Sequence, residues 1–258
     1  MFAQLTYAAL LARVTNDPAV VGLVLKGSHA HDGMATEHAD HDVYVVVAED
    51  TKGTGDTEDT GGAGSGPGAL ADLHGHRSAE LDVLVTTVDG FRSLPGYEDY
   101  ALSRARVVID RLDGGIAAIV AAKGRRDRHE AATAAADWLD AYANSLYRSL
   151  KNTRDGQPLA ARLDATDSLG FLLELLFALD RRPRPYNKYL EWELARFPLP
   201  GWETGPLLAA IGRIAGTGDT GAQRSLFARV EAVAREAGLG AVLDAWGEDL
   251  ALMRPPLS

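Results

Sequence analysis

Val21–Val47 reads VGLVLKGSHAHDGMATEHADHDVYVVV. An apolar run from Val20 to Leu25 leads through Lys26 to Gly27-Ser28. After eleven further residues comes Asp40-His41-Asp42, and a second apolar run, Val43 to Val47, starts at once. Short apolar runs bounded by glycine and polar residues read as strands. Side chains alternate along a strand, so Asp40 and Asp42 fall on one face and His41 on the other. Two carboxylates so placed repel each other and are hard to keep ionised without a cation between them. A Gly-Ser turn nearby offers backbone N–H groups and a hydroxyl to an anion. The stretch therefore predicts a site for a metal-bound phosphate chain.

Working outward, residues 2–15 carry apolar residues at helical spacing, and Asp17-Pro18 ends that helix. On the other side, residues 51–68 read TKGTGDTEDTGGAGSGPG, with seven glycines between Gly53 and Gly68. Such a composition cannot bury apolar area. Residues 49–78 are expected to be a flexible insertion between two strands, with a lid over a nucleotide as the functional alternative. Glu80–Val85 predicts a third strand, Asp89–Arg92 a short helix or turn, Arg106–Asp110 a fourth strand and Ile116–Lys123 a helix. This is a small mixed sheet with helices on one face. From His129 onward the periodicity is helical and no strand is expected. The fold class is α+β, with a sheet-containing domain over 1–125 and an all-α helical bundle over 126–258, the boundary falling in GRRDRH.

The chain of 258 residues is 46% hydrophobic, enough for a sizeable core in one large domain or two ordinary ones. No apolar run approaches the roughly 18 residues of a membrane helix. The first residues, MFAQLTYAALLARVTND, lack the basic start and cleavage site of a secretory signal. A soluble, cytoplasmic protein is expected. Absence of cysteine excludes disulfides and thiolate metal sites. The net charge of −10 argues against a general nucleic-acid binder and suits a cationic small-molecule acceptor, although it also serves solubility.

The order strand, Gly27-Ser28, gap, Asp40-x-Asp42, strand resembles the DNA polymerase β-like nucleotidyltransferase superfamily. The length and helical second half look most like its kanamycin and other aminoglycoside nucleotidyltransferases. The resemblance implies a polymerase β-like N-terminal domain and a helical C-terminal one. It also implies transfer of a nucleoside monophosphate, AMP first, from an NTP to a hydroxyl of a small molecule such as an aminoglycoside antibiotic. The cofactor would be magnesium, two ions in the usual arrangement, which prefers hard oxygen ligands beside substrate phosphates. Asp40 and Asp42 would be shared metal ligands. Family members carry a third acid on the strand after this hairpin, and Asp82 within LDVLV matches it, as metal ligand, general base or both. Glu80, two residues earlier, is expected on the same face as Asp82 or simply exposed at the strand end. Gly27 and Ser28 would lie under the triphosphate, and Lys26 is expected to point away. The chain departs from the family pattern at His41, where an apolar residue is usual, and at Ala39, where serine is common.

In the helical half, Arg181-Arg182-Pro183-Arg184-Pro185-Tyr186-Asn187-Lys188 is the unusual segment. By the resemblance Lys188 is a phosphate contact and Arg184 a weaker one, with cationic capping of a helix end as the alternative. Asp164 and Asp167, three apart on one helix face, read as solvated surface or as acceptor-binding acids. Six of the seven histidines fall between His29 and His76, most of them in predicted loops and without established ligand spacing, so no zinc site is expected. Two other functions stand beside the enzyme: a protein-modifying, AMP-transferring partner of a toxin–antitoxin type, and a non-catalytic nucleotide-binding module.

Overall fold

A computed structural model describes residues 5–48, 70 and 72–256. The chain divides into two compact units, Met1–Arg125 and Arg126–Ser258. The first opens with α1 (Tyr7–Asn16), which begins later than the apolar spacing suggests because Thr6 is its N-cap, accepting from the Ala9 N–H. Five strands follow: β1 (Val20–Lys26), β2 (His41–Val47), β3 (His76–Arg77), β4 (Leu81–Thr87) and β5 (Arg106–Asp110). They form one mixed sheet in the order β3-β4-β2-β1-β5. The β2–β4 pair is parallel and the other three pairs are antiparallel.

The central strands are apolar on both faces because both faces are covered. On one face Leu23, Leu25, Val43, Val45, Leu81, Val83 and Val85 pack with Leu10 and Val14 of α1 and with Leu70 and Leu73. On the other, Val24, Tyr44 and Val46 meet Phe91, Leu102, Ile116 and Val120. These four come from the short helices α2 (Val88–Arg92) and α3 (Asp99–Ser103) and from α4 (Gly115–Lys123). Helices thus lie on both sides of the sheet, not on one as expected.

The predicted insertion over 49–78 falls largely outside the described residues. Its last part is folded: Leu70 and Leu73 are buried and β3 pairs with β4. A two-residue strand has no alternation to read, and the buried pair lies just beyond the glycine-rich composition.

Among its described residues the second unit has helices and no strand. α5 (Arg128–Arg154) and α6 (Pro158–Leu179) are joined by a tight turn at Asp155–Gln157, which makes them an antiparallel hairpin. Asp127 caps α5 by accepting from the His129 and Glu130 N–H groups, and Pro158 opens α6 where its missing N–H costs nothing. Leu139, Leu146, Leu172 and Leu176 from this hairpin form a core with residues of α7 (Leu190–Arg196), α8 (Thr204–Thr217) and α9 (Thr220–Glu236). Two short helices, α10 (Gly240–Asp244) and α11 (Leu250–Met253), complete that core through Leu243 and Met253. Among the described residues no helix is long and apolar enough to cross a membrane.

Candidate active site

Strand pairing sets the site. Lys26 is the register partner of Asp42, Asp42 of Asp82, and Asp82 of Arg77. Direct partners in a sheet share a face. The four side chains therefore make one row across β1, β2, β4 and β3, at the end where β1 finishes and β2 and β4 begin. The charges run positive, negative, negative, positive. The row includes Lys26, contrary to the expectation that it points away: it stands two residues from Val24, whose side chain packs with Tyr44 on this face.

Both flanking cations have partners. Lys26 Nζ lies 2.8 Å from Glu98 Oε2 and 5.0 Å from the centre of the Tyr44 ring. Arg77 donates to Asp82 Oδ2 from Nη2 at 2.7 Å and from Nε at 3.1 Å. Asp42 is half-buried between them. Burial pushes its pKa above the usual carboxylate value, and Asp40, Asp82 and Glu98 push the same way against Lys26. Asp40 stands just before β2, close enough for its charge to act on both Asp42 and Arg77.

β1 passes directly into a 3₁₀ turn, Gly27–Ala30. Gly27 has φ +68°, and a Cβ built on it would run into Asp42 Oδ2. Only glycine satisfies both conditions. Ser28 is buried in the turn. Beneath it His31 is buried, its Nδ1 2.7 Å from the Gly27 carbonyl and its Nε2 3.1 Å from the Tyr100 hydroxyl. The carbonyl can only accept, so Nδ1 carries a proton and, in the neutral ring, Nε2 accepts from Tyr100.

His41 takes the opposite face, as alternation predicts. Its ring stacks between Tyr7 at 4.4 Å and His29 at 3.8 Å. Burial first, and then the His29 charge, lower its pKa. His29 Nε2 also reaches the Ala39 carbonyl at 3.2 Å, so the stack braces the backbone that carries Asp40. Glu80 does not share the face of Asp82. It precedes β4, and its Oε1 accepts from the Tyr7 N–H at 3.2 Å, against the N-terminus of α1.

In the second unit, Lys188 is exposed in the 3₁₀ turn Asn187–Tyr189, its ammonium 5.3 Å from the centre of the Tyr189 ring. Arg184 donates to Asn187 Oδ1 at 2.7 Å and pairs with Glu174 at 3.4 Å. Arg181 bonds the Arg126 carbonyl, while Arg182 joins Asp180 to the buried Glu193, so both serve the fold. Asp164 is not solvated surface: it is buried against Asn152 and Arg148, while Asp167 is exposed.

Among the described residues, no three His, Asp or Glu side chains stand gathered as a ligand set for a metal ion. Asp40, Asp42 and Asp82 come to one end of one sheet, but Arg77 occupies an oxygen of the third. In chemistry the trio suits a hard dication: every donor is oxygen, and at Asp42 the repulsion of its acidic neighbours adds to burial in raising the pKa. Arg77, Glu98, His31 and Tyr100 are contributors that sequence reasoning missed; only the histidine crowding around residue 31 hinted at one of them. No protein-family model matches the chain, and no curated protein matches it.

Proposed function

We propose that the chain is a metal-dependent nucleotidyltransferase of the polymerase β-like type. It moves a nucleoside monophosphate, AMP first, from an NTP to a hydroxyl of a small molecule such as an aminoglycoside. The observation that carries this reading is the alignment of Gly27, Asp42 and Asp82 at one sheet end. There a side-chain-free turn touches a carboxylate whose pKa is raised by burial first and then by its acidic neighbours. Asp40, Asp42 and Asp82 would hold a divalent ion, which would neutralise the triphosphate charge.

The chain's own residues do the rest. The glycine at 27 lets backbone approach a phosphate, and the Ser28 hydroxyl donates to a β- or γ-phosphate oxygen. Lys26, with Glu98, balances charge beside Asp42. The acceptor oxygen bonds to the α-phosphorus as the α–β P–O bond breaks and pyrophosphate departs. The hydroxyl proton passes to a carboxylate, with Asp82 as first choice.

The test is incubation with α-labelled ATP or GTP, magnesium and a panel of hydroxyl-bearing aminoglycosides. Label on a small molecule, lost in Asp42→Asn, is the expected result; label on a protein points to the protein-modifying activity instead. The grip of Arg77 on Asp82 favours a second reading, a nucleotide-binding module without turnover. ATP binding with no label transferred to any acceptor selects it.

A further inference from the structure

Arg77 sits on the two-residue edge strand β3, opposite Asp82. Both of its bonds converge on a single oxygen, Asp82 Oδ2, instead of forking across the carboxylate. The forked, two-oxygen geometry is the one that locks an arginine to an acid. The Arg77 side chain is 78% exposed and that of Asp82 only 19%. An ion pair so open to water is weak and easily exchanged. Asp40 and Asp42 also act on the guanidinium through their charge, so it answers the whole acidic group as well as its direct partner.

We propose that Arg77 is a resident counter-ion that competes with a divalent cation for Asp82, so that metal loads by exchange with the guanidinium. This rests on the reading of the carboxylates as a cation site. It fits the missing ligand set, since the third acid is turned to an internal cation. Exchange asks for rotation of one long, exposed side chain and for the three acids to draw together around the ion. A dication gains from all three acids at once, whereas the guanidinium bonds one, so a small divalent ion wins where a monovalent ion does not.

The test is a Mn2+ titration of the full chain without nucleotide, by calorimetry or by the paramagnetic resonance of free Mn2+. R77Q binds Mn2+ roughly fivefold tighter than the wild-type chain, the value of one exposed ion pair. In a D82N background the same substitution changes the affinity little, because the contested ligand is gone. Circular dichroism checks the fold of each variant. If R77Q loses its helical signal, R77K makes the same comparison, since lysine keeps the charge but not the two-nitrogen grip. A folded variant that binds Mn2+ no better than wild type, while both bind measurably, overturns the role of Arg77 and leaves the cation site standing. Absence of Mn2+ binding by both chains overturns the cation site and the exchange together.

Discussion

The Asp42 carboxylate occupies the space where a side chain at residue 27 would begin. Gly27 also has φ +68°, so two separate constraints meet at one residue. Gly33 makes the control: its φ is +79° and a Cβ there would meet nothing within 4 Å. Gly33→Ala should cost only the backbone strain, about 1–2 kcal/mol. Gly27→Ala should cost more, because Asp42 must also move. Urea unfolding of the two variants checks the order, and equal losses would contradict the crowding of residue 27.

Asp42 is expected to trade stability for function. Burial and the charges of Asp40, Asp82 and Glu98 raise its pKa, so folding penalises its ionised form. Asp42→Asn removes that charge at nearly constant volume. Without metal its melting temperature should rise above that of the parent, while nucleotidyl transfer falls by roughly a thousandfold. Thermal denaturation beside the labelled-ATP assay measures both; a variant less stable than the parent would show that Asp42 makes favourable contacts outweighing the repulsion.

Much of this site could be read from the chain because it rests on local pattern. Val20–Lys26 forms the first strand residue for residue, and alternation alone separates Asp42 from His41. What could not be read depends on pairing partners. Which residue stands opposite Asp82 is decided by β3, a strand too short for any period and lying just past a glycine-rich stretch. Lys26 and Glu98 are 72 positions apart, and His31 and Tyr100 are 69 apart, so neither contact leaves a spacing to recognise. Glu80 departs from expectation for a related reason: it lies one residue before the start of β4, where strand alternation no longer holds. In the helical half, Asp164 and Asp167 share a helix face by spacing, yet the neighbouring helix α5 covers only the first.

Arg111 should be a stability residue of the first unit. Its guanidinium donates to the carbonyls of Thr15, Asp17 and Val20, tying the end of α1 to the start of β1. Charged donors to backbone carbonyls are worth more than neutral ones. Arg111→Gln should lower the unfolding free energy by about 1–3 kcal/mol. Arg111→Lys should recover only part of this, since an ammonium cannot serve three carbonyls in the geometry of a planar fork. Urea midpoints at constant m-value give the comparison.

Glu231 should make the second unit acid-sensitive. It accepts from Arg254 at 2.6 and 2.9 Å and from Arg235 at 3.1 Å. The Arg254 bonds first, and then Arg235, hold its pKa below the ordinary glutamate value of 4.5 despite partial burial. A carboxyl with a depressed folded-state pKa favours folding above its unfolded value, and that contribution is lost as pH falls through the folded one. The advantage of the parent chain over Glu231→Gln should therefore be constant from pH 7 down to about 5 and shrink below 4.5 as the carboxylate takes up a proton. Unfolding followed by helical circular dichroism across that range measures it. A gap that does not change with pH would assign the loss in Glu231→Gln to packing and not to these ion pairs.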